Sequence, residues 1–127
     1  MKLIKNERSI LKQRFLIIAV IALSVLGCNN NSPKPVPSIT FAQLEGKAVG
    51  GQYTITGTIT SSVALLKVIL TKEGDTTPFI TDDSTAKNKT SYTYSYLITG
   101  ITKDTNILID IYDQNNTKTS SKFLIRI

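Results

Sequence analysis

Tyr53-Thr-Ile-Thr-Gly-Thr-Ile-Thr60 alternates with a period of two. Tyr53, Ile55, Gly57 and Ile59 fall on one side and threonines fill the other. A β-strand turns successive side chains to opposite faces, so this stretch reads as a strand with one face in a core and one in water. The same pattern recurs downstream. Tyr92, Tyr94 and Tyr96 share one side of Ser91-Tyr-Thr-Tyr-Ser-Tyr-Leu97. Ile107, Ile109 and Ile111 lie opposite Leu108, Asp110 and Tyr112. Phe123, Ile125 and Ile127 lie opposite Lys122, Leu124 and Arg126.

Val63-Ala-Leu-Leu-Lys-Val-Ile-Leu70 is denser in apolar residues, as a central strand covered on both faces would be. Its β-branched residues and short length argue against a helix there. Weaker strands are expected at residues 40–44 and 79–81, the latter at an edge, because Pro78 has no N–H for a ladder. The breaks between strands carry turn residues: Gly50-Gly51, Ser61-Ser62, Lys72-Glu-Gly-Asp75, the polar run 82–90, and Asp113-Gln-Asn-Asn-Thr117. About seven short strands without a helical period predict an all-β fold, a single antiparallel β-sandwich over residues 39–127. Its expected core is Ile55, Ile59, Leu66, Val68, Leu70, Tyr94, Tyr96, Ile107, Ile109, Ile111 and Phe123.

The N-terminal part has a different character. Lys2, Lys5, Arg8, Lys12 and Arg14 against Glu7 account for +4 of the chain's net charge of +6. The basic balance therefore belongs to the leader, and the body offers no nucleic-acid surface. Residues 15–27 follow with only Ser24 polar. As a helix they would span roughly 20 Å, short of the ~30 Å hydrocarbon core, which suits a signal peptide (1–27) better than a permanent span. Val25-Leu26-Gly27-Cys28 then resembles the lipobox of bacterial lipoproteins. The resemblance implies signal-peptidase cleavage between Gly27 and Cys28, and acylation of Cys28 by diacylglyceryl and palmitate-like chains. Two or three such chains, at about 0.8 kcal/mol per buried CH₂, anchor a protein essentially permanently. Asn29 stands where a retention signal would place Asp, and by the same resemblance the expected location is the outer membrane.

Residues 28–38 comprise this cysteine and a tether, Asn29-Asn-Asn-Ser-Pro-Lys-Pro-Val-Pro-Ser38, with too little apolar surface to fold. Extended at about 3.1 Å per residue it reaches roughly 30 Å.

The succession of strands from Gln52 to the terminal Phe-Leu-Ile-Arg-Ile resembles the Ig-like modules, cadherin- or fibronectin-III-like, of bacterial surface lipoproteins, common in Bacteroidetes. Ile107 stands where such modules place a corner tyrosine, and Asp113-Gln-Asn-Asn replaces their usual Asp-x-x-Gly turn. The resemblance implies a cell-surface binding or accessory module whose partners are the membrane and either a glycan or an envelope protein. In the bacterial group concerned, Asp75-Thr76-Thr77 and Asp83-Ser84-Thr85 also resemble O-glycosylation sequences.

Chemistry is sparse. The chain has no His and a single Cys, which leaves no His-based triad, no His or Cys metal set and no internal disulfide. No catalytic residue, no cofactor and no metal are expected. The acid pairs Asp82-Asp83 and Asp110/Asp113 lack calcium-loop spacing and read as solvated turn acids. The remaining candidate site is the strip Tyr92, Tyr94 and Tyr96, about 6.6 Å apart along its strand. Facing outward, it could stack on sugar rings as a ligand-binding surface; facing inward, it is core. The poor alternative core of Thr93, Ser95 and Leu97 favours the inward arrangement.

Overall fold

The computed structural model describes residues 32–127. The leader, Gly27, Cys28 and the first tether residues lie outside the described residues. Among the described residues there are eight strands and no helix. Sheet one has the order β1 (Ser38–Phe41), β3 (Tyr53–Thr60), β6 (Ser91–Ile98). Sheet two has the order β2 (Glu45–Lys47), β8 (Lys118–Arg126), β7 (Thr105–Asp113), β4 (Leu65–Lys72), β5 (Ile80–Asp82). Their inner faces pack into one core, as a sandwich requires.

The expected strand at residues 40–44 is divided in two. β1 pairs antiparallel with β3, the chain breaks at Ala42-Gln-Leu44, and β2 then pairs with β8 in the opposite sheet. Because the chain keeps its direction across the switch, β2 runs parallel to β8 and the second sheet is mixed, not purely antiparallel. Leu44, read as part of a strand, sits at the crossover almost fully exposed.

The core matches the period-two reading with one correction. Leu66 is only half-buried, and Leu65 is the buried residue. The ladder between β4 and β7 slips there: Leu65 opposes Asp113 and Lys67 opposes Tyr112, so Leu66 is the extra residue of a β-bulge. The slip allows Leu65 and Val68 to point inward although they are three residues apart. Elsewhere Val68 lies opposite Ile111, Leu70 opposite Ile109 and Ile107 opposite Phe123, all inward. Phe123 also meets Phe41 and Tyr53, with ring centroids 5.1 and 5.7 Å away.

Gly57 makes possible a contact over β3, between the two edge strands of one sheet. Tyr94, opposite it on β6, passes its hydroxyl over the glycine to donate to the Thr40 carbonyl at 3.0 Å. A methyl group at Gly57 would collide with that carbonyl oxygen and with the Tyr94 hydroxyl. Glycine in this strand therefore serves close approach.

The two ends of the sandwich differ. The chain enters beside Thr60, where the β3–β4 link, the 83–90 loop and the β7–β8 hairpin also lie. Ile127 follows β8 at the opposite end. The hairpin adopts the turn that the sequence suggests, with Asn116 at φ 58° supplying the left-handed conformation that glycine gives in Asp-x-x-Gly turns.

The bulge makes a direct prediction for urea unfolding. Leu65→Ala should cost about 3 kcal/mol, as a fully buried leucine does, and Leu66→Ala about 1 kcal/mol or less. Equal losses at the two positions would contradict the assigned register.

Candidate functional site

The three tyrosines singled out by the sequence all face the core. Tyr92, Tyr94 and Tyr96 retain 8%, 1% and 7% of their surface exposed. This corrects the ligand-binding option: no ring face is open for stacking on a sugar. The period-two pattern located the strip, and its inward direction follows from pairing with the buried Ile55 and Ile59 of β3.

Two of them, Tyr92 and Tyr96, bind a carboxylate. Asp82 ends the short edge strand β5 and is 8% exposed, so it is not the solvated turn acid that the polar run implied. Its Oδ2 accepts from the Tyr92 and Tyr96 hydroxyls, each at 2.9 Å. Its Oδ1 accepts from the backbone N–H of Thr85 at 2.8 Å and of Ala86 at 3.1 Å. One carboxylate thus fixes the start of the 83–90 loop and joins β5, the edge of one sheet, to β6, the edge of the other. Burial alone would push the Asp82 carboxyl up, but the bonds from Ala86, Tyr96, Tyr92 and Thr85 outweigh it and hold the group below its ordinary value. Burial raises Tyr96, and the neighbouring Asp82 and Tyr92 raise it further. Burial pushes Tyr94 up to about 12. The ammonium of Lys89 lies 4.8 Å from the Tyr92 ring centroid and covers the node from the loop side.

The other acid pair does not assemble. Asp110 sits on the outer face of sheet two with Lys118 at 2.9 Å and Ser120 at 2.6 Å. Asp113 faces inward and is fully buried. Its Oδ1 accepts from the N–H of Asn115 at 2.9 Å and of Thr117 at 2.8 Å, which closes the hairpin. Its Oδ2 has no hydrogen-bond partner among the described residues. Among the described residues no cluster of three metal-ligating side chains exists. Thr76 and Ser84, of the two glycosylation-like sequences, are exposed.

The tether meets the domain at a defined point. Residues 32–37 have no regular secondary structure, and Pro37 is buried. The Thr119 hydroxyl donates to the Pro37 carbonyl at 2.7 Å. Pro35, Val36 and Ser38 with Thr60, Ser61 and Ser62 line a shallow groove of about 260 Å³. Its small size and open, hydroxyl-rich walls suit the seating of the chain itself better than a small-molecule ligand.

No protein-family model and no curated protein matches the chain. Among solved structures it is similar to the fibronectin(III)-like modules of Clostridium thermocellum CbhA, with a TM-score of 0.51 and 16% identity. The match covers 73% of this chain and 47% of that one. The fold is fibronectin-III-like. The chain spans about half the length of the structure it matches, and the likeness concerns architecture alone.

The tyrosine–aspartate node predicts how stability depends on pH. Asp82 has a folded-state value below its ordinary 3.8, so its contribution is full above about pH 4 and is lost as pH falls through the folded value. Tyr94 and Tyr96 have folded-state values above their ordinary 10.0, so their contribution is full below about pH 10 and fades above it. The melting temperature should therefore be level between these limits and fall on both sides. Asp82→Asn should lower the plateau and shrink the acid limb; an unchanged acid limb would show that other carboxylates carry it.

Proposed function

We propose that the chain is a lipid-anchored, non-enzymatic module of the bacterial cell envelope, held in the outer membrane through acyl chains on Cys28. The observation that carries this reading is the single cysteine of the chain, placed directly after Gly27 at the end of a basic-then-apolar leader. A proline-rich tether and a small sandwich follow, a succession suited to holding a folded body away from a lipid surface.

The geometry of the domain supports an accessory or spacer role. The tether joins one end of the sandwich at Pro37, where Thr119 of β8 holds its carbonyl, and β8 runs from that end to the opposite one. The glycan-binding version based on Tyr92, Tyr94 and Tyr96 loses its support, because those rings are core. The absence of histidine from the sequence and the engagement of Asp82 and Asp113 in backbone hydrogen bonds leave little for acid–base work.

The reading is tested by growing cells that express the chain with labelled palmitate. The wild-type chain should take up label and sediment with membranes, whereas Cys28→Ser should take up none and keep the uncleaved leader. Equal labelling of both chains, or none in the wild type, would refute the anchor.

A further inference from the structure

Among the described residues, three of the four sheet edges are blunted. β5 is three residues long and follows Pro78. β2 is equally short and carries Glu45 and Lys47. β1 is four residues long, behind Pro33, Pro35 and Pro37. These are the devices by which proteins prevent edge-to-edge pairing. β6 has none of them. It is eight residues long, Ser-Tyr-Thr-Tyr-Ser-Tyr-Leu-Ile, and no charged residue or proline occurs from residue 90 to residue 102. Its outer side chains, Ser91, Thr93, Ser95 and Leu97, are all exposed.

The hydrogen-bond pattern shows what this edge presents. In an antiparallel ladder, bonded pairs recur every second residue. The Ser61 N–H donates to the Thr90 carbonyl at 2.9 Å, in register with the β3–β6 pairs. Tyr92, Tyr94, Tyr96 and Ile98 therefore turn their backbone groups toward β3. On the other side of β3, the Ala42 N–H donates to the Thr56 carbonyl at 2.9 Å, which requires the same phase. Ser91, Thr93, Ser95 and Leu97 are thus left with N–H and C=O groups directed to the free side. The residues with free backbone groups are also those with solvent-facing side chains.

We propose that this edge pairs with the β6 edge of a second copy of the chain, as antiparallel strands about a two-fold axis at Tyr94. A second copy fits for three reasons. Both strands are neutral, so no like charges meet. Directly opposed residues of an antiparallel pair share a face, and here both edges bond through solvent-facing residues, so the two sheets join with their outer faces on one side. The register centred on Tyr94 sets Ser91 against Leu97 and Thr93 against Ser95, engages every free group of both strands in about eight bonds, and makes one continuous sheet. Placing the axis between two residues would set free groups against residues whose groups turn toward β3, and centring on Ser95 or Thr93 leaves groups unpaired.

The test is sedimentation equilibrium of the full chain in density-matched detergent, with circular dichroism to verify folding. The wild-type chain should associate to a dimer. Thr93→Lys/Ser95→Lys sets lysine against lysine across the axis and should weaken association roughly tenfold or more. Thr93→Glu/Ser95→Lys sets glutamate against lysine in this register alone and should associate at least as well as the wild type. A monomeric wild-type chain, or association unchanged by Thr93→Lys/Ser95→Lys, would overturn the proposal. Loss of association in Thr93→Glu/Ser95→Lys would overturn the register.

Discussion

One carboxylate, that of Asp82, closes the side of the sandwich on which β5 and β6 lie. One sheet ends there in β5 and the other in β6, and these two strands share no backbone ladder. A buried charge without partners would be strongly unfavourable, and a buried tyrosine hydroxyl without an acceptor is also unfavourable, to a smaller degree. Asp82 resolves both, because its two oxygens together accept four hydrogen bonds from Tyr92, Tyr96, Thr85 and Ala86. The long loop from β5 to β6 can then be fixed with a single buried apolar residue of its own, Ala86. Charge-assisted bonds of this kind are stronger than neutral ones, and they hold only while the acid is ionised. The exposed ion pairs, such as Lys122 with Glu73 and Arg126 with Glu45, contribute far less.

The strands were legible from the sequence because apolar residues alternate with hydroxyl residues wherever one face is solvated. Tyr53–Thr60, Ser91–Ile98 and the last two strands show this plainly. Three features were hidden for physical reasons. The bulge at Leu66 breaks the period, and nothing in Leu65-Leu66 tells which leucine points inward. The β1–β2 switch and the parallel pairing of β2 are tertiary choices of a short segment with little pattern of its own. The burial of Asp82 and Asp113 was hidden because acids in polar runs are ordinarily solvated; only the fold brings tyrosine hydroxyls and loop N–H groups onto them. One signal was available for Asp82, since three inward tyrosines need acceptors and an acid lay ten residues before the first.

The same features relate the domain to its proposed place in the envelope. Tether, β3–β4 link, hairpin and 83–90 loop gather at one end, where Pro37 is bound by Thr119. Bonds from Ser61 to Thr90, from Leu65 to Lys89 and from Gln114 to Ala64 connect those loops. A pull on the tether is therefore delivered to both sheets.

A double-mutant cycle on Asp82→Asn and Tyr96→Phe, measured by chemical denaturation at neutral pH, tests the central claim most directly. The account predicts strong coupling, with the two losses together smaller than their sum by about 1 kcal/mol or more. Additive losses would mean that carboxylate and hydroxyl act independently, and that something other than Asp82 holds the two sheets together on that side.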